Sequence, residues 1–343
     1  MKQSLPIADF DFEYPEELVA SAPAEPRDSS RLLVIDRAAR RLEHAVFWDI
    51  PRFLRPGDCL VLNRTKVLPC RLRGRKSTGG KVDLLLVREL GSSSWSALSA
   101  DLKAGQSLEF PGGLQATVEG LGEEGEYRLA FAARDLRSYL AEHGLPPLPP
   151  YIAKRRAPSR SDLERYQTVY ARDEGSIAAP TAGLHFTPEL LGLLRARGVE
   201  TAWVTLHVGR GTFRPIRGED AAAHTMLPES YEVEAAQADT LRAAIARGAR
   251  LVAVGTTVAR TLETLASSPF GLCAGRGESA LYIAPGYGFR ATNALVTNFH
   301  LPRSTPLVLA CAFAGRDLVL SAYREAVARG YRLYSYGDAT LIL

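Results

Sequence analysis

The 343-residue chain contains few cysteines and no apolar run long enough to cross a membrane. Its four cysteines are far apart and form no CxxC pair, which argues against a disulfide framework and against a cysteine zinc site. The longest apolar run, LVLACAFAG, is far shorter than the roughly 20 residues of a transmembrane helix. The N-terminal segment MKQSLPIADFDFEYPEEL is acidic and has no apolar core, unlike a signal peptide. We therefore expect a cytoplasmic protein that does not enter a membrane.

Several sequence motifs of well-known enzyme classes are also missing. Neither GxxxxGK[ST] nor GxSxG occurs, so P-loop and α/β-hydrolase functions lack their defining pieces. Four of the six histidines lie in the second half of the chain, namely His185, His207, His224 and His300. Three of them could in principle bind a metal, but neither HExxH nor paired cysteines are present. We expect no metal and no resident cofactor.

The net charge of +4 identifies no partner, but its distribution is uneven. Residues 59–82 contain seven basic residues and no acidic one, and a second basic cluster, KRRAPSR, begins at Lys154. Such one-signed stretches can follow a nucleic-acid backbone. The alternative is a basic face that is merely solvated.

Two patterns divide the chain. From about residue 57 to 132, short alternating runs are separated by the turn clusters STGG, GSSS, PGG and GEEG, which predicts a small antiparallel sheet or barrel. From about residue 151 onward, short apolar strands lead through polar turns into helices, which is typical of α/β architecture. The early segment RLLVIDRAARRLEHAVFWDI is expected to join the larger sheet. We predict a large α/β domain (1–57 and 151–343) with an inserted small antiparallel β-barrel domain (58–150).

Three strand-to-helix junctions carry polar residues. IAAPTAGLHFTPELL places His185 before a helix that Thr187 should cap, and TNFHLPRSTPLVLACAF places His300 before a helix that Thr305 should cap, with Pro306 after it. LVAVGTTVARTLETL is the third junction. Thr, Pro and Gly are ordinary at helix starts, but capping requires no histidine. Because open α/β sheets bind ligands where strand ends meet helix starts, the junctions predict a ligand site. The helix dipole should keep His185 neutral.

Long segments resemble one known family, the S-adenosylmethionine:tRNA ribosyltransferase-isomerases of queuosine biosynthesis. They run nearly from end to end of the chain and include PRDSSRLLV, PGDCLVLNRTKVLPCRL, YQTVYA, AAPTAGLHFTPELL, VTLHVGRGTF, AVGTTVARTLE, TNFHLPRST and YSYGDATLI. The resemblance implies a large α/β domain with an inserted barrel. It also implies that the ribosyl part of S-adenosylmethionine is transferred and isomerised onto 7-aminomethyl-7-deazaguanine. This base occupies the wobble position of a tRNA with a GUN anticodon. The products are epoxyqueuosine-tRNA, adenine and methionine, so that S-adenosylmethionine is a consumed co-substrate.

This implied reaction assigns candidate roles to residues. A neutral base must take a proton from carbon beside the sulfonium, for which we consider His185 and His207, and an acid would assist adenine departure, for which we consider Asp338 and Glu229. Candidate substrate-binding residues are Thr181, Gly183, Gly255, Thr256, Thr257, Arg260, Tyr287, Asn298, His300, Ser304 and Tyr336. Candidate tRNA-binding residues are Arg71, Arg73, Lys76, Lys154 and Arg155.

The sequence also departs from the family pattern. Arg64 stands where Asp or Asn is usual, Lys66 where Arg is usual, Leu227 where a second histidine is usual, and Val258 where Ser is usual. Two alternative functions therefore stay open: a tRNA- or RNA-binding relative without catalysis, and an enzyme of the same fold that uses S-adenosylmethionine on another acceptor. No heptad or exposed apolar stripe requires an oligomer, so we expect a monomer.

Overall fold

The chain folds into two units, and the structure, a computed structural model, describes residues 4–91, 93–122, 125–209, 216 and 218–343. The larger unit comprises residues 1–66, 167–173 and 179–343, and the smaller comprises 67–166 and 174–178. These boundaries differ from the expected ones at 58 and 150. The first boundary lies later in the chain because β3 (Cys59–Asn63) is fully buried and pairs inside the large sheet. The second boundary also lies later, because the smaller unit continues to Tyr166.

Nine strands of the described residues form the sheet of the larger unit. In spatial order they are β15 (Gly275–Ser279), β13 (Glu229–Val233), β12 (Glu200–Leu206), β3, β14 (Leu251–Val254), β16 (Thr292–Asn298), β17 (Ala339–Ile342), β1 (Arg31–Asp36) and β2 (Arg41–Val46). The prediction that the early segment joins this sheet is confirmed by the pairing of β1 with β17 and β2. A separate two-stranded sheet contains β4 (Thr65–Val67) and β11 (Asp173–Ser176).

The strand directions create one polar edge. β12, β3, β14 and β16 are parallel neighbours, so their carboxyl ends share an edge of the sheet. β17 runs antiparallel to β16, and β1 runs parallel to β17, so both of these strands begin at that same edge. We call it the carboxyl edge. In open α/β sheets, ligands bind at the edge where the parallel strands have their carboxyl ends.

Five helices belong to the larger unit as described: α4 (Pro188–Ala196), α5 (Ala235–Ala246), α6 (Thr256–Ser267), α7 (Thr305–Ala314) and α8 (Arg316–Ala328). Short 3-10 helices precede them, including Arg27–Ser29, Phe47–Arg52 and Thr181–His185. Leucines of α4 pack with strand residues such as Leu60, Val252 and Val296 in one apolar core. This burial of one helix face and one sheet face fixes the strand ends that carry the polar residues.

The smaller unit is built around a closed antiparallel barrel. Its strands, in order around the barrel, are β10 (Tyr127–Phe131), β7 (Ser94–Leu98), β6 (Lys81–Glu89), β5 (Arg71–Lys76), β8 (Ser107–Glu109) and β9 (Gln115–Leu121). In β6, Val82, Leu84 and Leu86 are buried while their neighbours are more exposed, as expected for a strand with one face inside. The helices α1 (Leu136–His143), α2 (Pro150–Arg155) and α3 (Asp162–Arg165) follow. The predicted fold, an α/β domain with an inserted barrel, is confirmed.

Among the described residues, no single helix is long and apolar enough to cross a membrane. In the described part of the chain, the pair α7 and α8 together reaches the required length and composition, but a bend of 115° separates the two helices. The last part of VTLHVGRGTF, residues 210–213, lies outside the described residues.

Candidate active site

The carboxyl edge gathers candidate residues from four separate strands. His207 follows β12, Gly255 follows β14, Asn298 ends β16, and Asp338 comes immediately before β17. The sheet register thus brings these positions to one edge, as the three junctions predicted. Their side-chain contacts then distinguish them from one another.

His185 lies in a closed hydrogen-bond network. Its Nδ1 is 2.8 Å from the Ser30 hydroxyl, and its Nε2 is 3.0 Å from the Asn298 amide nitrogen. Thr181 donates to the Asn298 amide oxygen at 2.9 Å, which turns the amide nitrogen toward the ring. Nε2 is therefore the acceptor, and Nδ1 carries the proton that is donated to Ser30. Both ring nitrogens of His185 are engaged.

Burial sets the charge of His185. The residue is 4% exposed, and its ring stacks on Phe47 at a centroid distance of 5.0 Å. Burial, followed by repulsion from Arg332 and Arg27, lowers the pKa of His185 to about 3. A pKa this far below 7 favours the neutral imidazole that the sequence predicts, but burial rather than the helix dipole is the main cause of the shift. The expected cap is also confirmed, since Thr187 accepts a hydrogen bond from the Leu190 N–H at 3.2 Å.

Among the described residues, His207 has a hydrogen-bond partner at one ring nitrogen. The Thr65 hydroxyl lies 2.8 Å from its Nδ1, and the structure shows no hydrogen bond from any described residue to its Nε2. The ring is partly buried, and this burial lowers the pKa of His207, against the opposite effect of Asp173 and Glu232. A neutral imidazole that is oriented at one nitrogen, and whose other nitrogen is bonded to no described residue, is suited to accept a proton.

His300 is oriented by neighbours along its own chain segment. Its Nε2 lies 2.7 Å from the Thr297 hydroxyl, and its backbone N–H donates to Tyr323 at 3.2 Å. The Tyr323 hydroxyl in turn donates to the Asn298 carbonyl oxygen at 3.4 Å. Burial lowers the pKa of His300 to about 3. His300 and the His185 network are thus joined through the end of β16.

The third junction forms the start of α6. Gly255 has a φ of 98°, a conformation that favours glycine, and it precedes the first unpaired N–H groups of the helix. Thr256, Thr257 and Arg260 line a small cavity of about 20 Å³ together with Tyr282. The cavity is large enough for about one water molecule.

Two predicted roles do not fit the contacts at this junction. Arg260 is paired with Glu229, and it also donates to the carbonyl oxygens of Ser279 and Leu281 at 3.0 Å each. Glu229 accepts a further hydrogen bond from the Gly209 N–H at 2.9 Å. Arg260 is therefore not a free cation for a substrate carboxylate. Glu229, with both carboxyl oxygens accepting from donors, is poorly suited to donate a proton.

Asp338 is also occupied by donors. It accepts hydrogen bonds from the Arg31 backbone N–H and side chain, both at 3.0 Å, and from the Arg332 N–H at 2.8 Å. It is 2% exposed, as is its neighbour Tyr336. The contacts of Asp338 tie the start of β1 to the turn before β17, so they favour a positioning role over the predicted acid role.

Tyr287 and Ser304 have structural partners as well. Tyr287 donates to Glu263 at 3.3 Å, and Glu263 also accepts from the backbone N–H of Arg290, Ala291 and Thr292 at 2.8 to 3.1 Å. The Ser304 hydroxyl donates to the Leu301 carbonyl at 2.6 Å. Ser304 is the residue before α7, and the expected cap Thr305 is already its first helical residue.

Gly183 is required by a close approach. A Cβ added there would lie 2.1 Å from the Tyr170 hydroxyl and 2.8 Å from Thr168 Cγ2. The Tyr170 hydroxyl and the Thr168 hydroxyl are buried and have no hydrogen-bond partner among the described residues. Gly183 therefore lets the Thr181–His185 turn pack directly on Tyr170, which positions His185 two residues later.

Sequence reasoning missed Ser30 and Thr65, which orient the two histidines. Ser30 comes immediately before β1, and Thr65 comes two residues after β3. Applied to β3, the strand-end rule that identified the three junctions would have found Thr65. Ser30 instead precedes its strand, and it reaches this edge because β1 runs opposite to β16, which the sequence does not show.

The candidate tRNA-binding residues belong to the smaller unit, and they differ in availability. Arg71 makes two hydrogen bonds of 2.8 Å to Asp83, and Arg73 makes one of 3.3 Å to the same carboxylate. Asp83 immediately follows the basic stretch of residues 59–82, which contains no acidic residue. The pairing of β5 with β6 brings Asp83 opposite Arg73. Lys76 donates to the Asp101 carbonyl at 2.7 Å. Lys154 and Arg155 are exposed at the end of α2.

Within the part of the chain that the structure describes, no group of three His, Cys, Asp or Glu side chains is arranged to hold a metal ion.

Comparison with known proteins places the chain in a family. The sequence model of the family described as "Queuosine biosynthesis protein" matches residues 7–342. The S-adenosylmethionine:tRNA ribosyltransferase-isomerase of Anaeromyxobacter sp. (strain Fw109-5) is 54% identical over 98% of both chains. That of Moorella thermoacetica is 51% identical over 98% of this chain and 99% of its own. A crystal structure of S-adenosylmethionine tRNA ribosyltransferase from Thermotoga maritima has a TM-score of 0.57 and 40% identity, covering 98% of this chain and 100% of that one. The chain therefore belongs to the queuosine biosynthesis family of S-adenosylmethionine:tRNA ribosyltransferase-isomerases.

Proposed function

We propose that this chain transfers and isomerises the ribosyl moiety of S-adenosylmethionine onto 7-aminomethyl-7-deazaguanine in tRNA. Epoxyqueuosine-tRNA forms, and adenine and methionine leave. The acceptor base is at the wobble position of a GUN anticodon. The enzyme acts as a monomer in the cytoplasm, and it needs no metal, since S-adenosylmethionine supplies both the transferred group and the leaving groups. Family membership supports this proposal, as does the convergence of polar residues at the carboxyl edge.

His207 takes the proton from the carbon beside the sulfonium. One observation carries this assignment: Thr65 orients Nδ1 of His207 at 2.8 Å, while Nε2 has no partner among the described residues. In His185, by contrast, the Asn298 amide occupies the only nitrogen with an available lone pair. Burial lowers the pKa of His207, which keeps its imidazole unprotonated and able to act as a base.

The methionine part of the co-substrate lies at the start of α6. Its carboxylate binds the unpaired backbone N–H groups of Thr256 and Thr257, where the positive end of the helix dipole stabilises an anion. Arg260 contributes indirectly, because its pairing with Glu229 fixes the strand beside this helix. Tyr282 borders the small cavity beside the start of α6. Its hydroxyl is buried and has no partner among the described residues.

The barrel unit binds the tRNA backbone. Lys76, Lys154 and Arg155 contact phosphates, which position an RNA without reading its sequence. Arg71 and Arg73 contribute less, because Asp83 offsets their charge.

Release of adenine tests the proposed function. Purified protein is incubated with S-adenosylmethionine and with tRNA that carries or lacks 7-aminomethyl-7-deazaguanine. Adenine release with the precursor-bearing tRNA alone supports the proposal. No release with any tRNA, together with intact tRNA binding, would instead identify a non-catalytic relative. Release with a different acceptor would identify an enzyme with altered substrate use, for which Leu227 is the first residue to exchange for His.

A further inference from the structure

Arg64, one of the residues that depart from the pattern of the resembled family, is almost fully engaged with two carboxylates. It comes immediately after β3, and its side chain is 9% exposed. Its Nε donates to Asp173 at 2.7 Å, and its two terminal nitrogens donate to Glu234 at 2.5 and 3.2 Å. These contacts raise the pKa of Arg64 and lower the pKa of Glu234. Burial alone would raise the pKa of Asp173, but hydrogen bonds from Thr205 and Arg64 lower it below its ordinary value, so all three groups are charged.

This cluster adjoins His207. Thr65, the residue after Arg64, contacts the His207 ring at 2.8 Å and donates to the Asp173 carbonyl at 3.4 Å. Thr205, two residues before His207, donates to the Asp173 carboxylate at 2.5 Å. The negative charge of Asp173 is therefore close enough to favour a protonated imidazole.

We propose that Arg64 is a positioning residue for His207: its guanidinium holds Asp173 and Glu234 in ion pairs and offsets their charge, so that the imidazole stays neutral. The inference rests on the proposed function for its catalytic meaning, but the charge state of His207 can be measured without any substrate. It also assigns a role to a residue that would otherwise count as an unexplained departure.

The other charged groups near His207 do not replace Arg64. On β13, Glu232 is paired with the exposed Arg276 at 3.0 Å, and Glu229 is paired with Arg260. Beside β11, Arg172 lies 3.8 Å from Asp173, but its side chain is 69% exposed. Among the described residues, Arg64 is thus the buried cation that meets Asp173.

The opposite end of the same strand provides a matched control. Asp58, the residue before β3, pairs with Arg250 at 2.5 Å, and the Asp58 side chain is 4% exposed. Arg250 comes immediately before β14, at the amino end of these parallel strands, away from His207. Arg64→Gln and Arg250→Gln therefore both remove a guanidinium paired with carboxylate, at opposite edges of one sheet.

The test is an NMR titration of histidine-labelled protein, with the His207 signal assigned by its loss in His207→Gln. In Arg64→Gln we expect the pKa of His207 to rise by about 1 unit, because an opposite charge left without its partner favours the imidazolium. Arg64→Lys, which keeps the charge, should give a smaller rise. The double variant Arg64→Gln/Asp173→Asn should return the pKa to the wild-type value, and Arg250→Gln should not change it.

An unchanged pKa in Arg64→Gln, or an equal rise in Arg250→Gln, would overturn the inference. If Arg64→Gln does not fold, Asp173→Asn alone serves as the test, with an expected fall in the pKa of His207. No fall in that variant would again overturn it. The pH profile of kcat/KM separates the inference from the proposed function. If the NMR pKa rises while the acidic limb of the profile stays in place, Arg64 controls His207 as proposed, and His207 is not the catalytic base.

Discussion

His185 and His207 lie at the same edge of one sheet, but their surroundings give them different chemistry. Each is oriented at Nδ1 by a hydroxyl at 2.8 Å, from Ser30 and Thr65 respectively. The Asn298 amide then closes Nε2 of His185, whereas Nε2 of His207 has no partner among the described residues. A strand-end position is therefore insufficient to identify a base. The contact of the second nitrogen decides the chemical role.

We expect the largest effect in His207→Ala, which should lose activity. This variant tests the different roles of the two histidines most directly. Removal of a general base should reduce kcat by about 10²- to 10⁴-fold, with tRNA affinity nearly unchanged. Adenine release under saturating substrates measures kcat, and filter binding measures affinity. The matched variant is His185→Gln. If it loses more activity than His207→Ala while it stays folded, the two roles are reversed.

The second effect is on the pH dependence of stability. The pKa of His185 falls from an ordinary 6.5 to about 3 on folding, so between these values only the unfolded chain binds this proton. The wild type should therefore lose stability as pH falls through this window, by about 2.3 kcal/mol from pH 6.5 to 4.5 for His185 alone. His185→Gln should remove this loss.

Urea unfolding at the two pH values gives the slope, and His207→Gln is the control. Because His207 is only partly buried, replacing His207 should flatten the pH dependence of stability less than replacing His185 does. Equal slopes in wild type and His185→Gln would show that His185 is not held neutral by burial.

The third effect concerns the turn that holds His185. Gly183→Ala should destabilise the protein by about 1 to 3 kcal/mol, because the new methyl group would overlap the Tyr170 hydroxyl. Tyr170→Phe should recover part of this loss, since the nearest remaining ring atom is 3.1 Å away. Gly192→Ala, with no atom within 4 Å on helix α4, should instead be neutral or stabilising. Equal effects at the two glycines in thermal unfolding would contradict the close packing on Tyr170.

The fold was more predictable from sequence than the site contacts. Alternation in segments such as KVDLLLVREL and polar residues after short apolar strands are local patterns, and they predicted the barrel and the polar edge. The pairs that decide chemistry are distant in sequence. Ser30 and His185 are 155 residues apart, and Arg260 and Glu229 are 31 residues apart. Such pairs depend on strand register and on which side chains share a buried space, and neither can be read from local periodicity.

The smallest expected effect is on the salt dependence of tRNA binding. It compares paired and exposed basic side chains in the barrel unit. Arg71 makes two hydrogen bonds of 2.8 Å to Asp83, whereas Lys154 is exposed on α2. If both residues face tRNA, Lys154→Ala should reduce the slope of log affinity against log salt by about 1, because one phosphate contact and its released counterion are lost. Arg71→Ala should change the slope less, because the lost guanidinium already neutralises a carboxylate. A larger change for Arg71→Ala would mean that tRNA displaces Asp83, so that a charge paired in the free protein becomes available on binding.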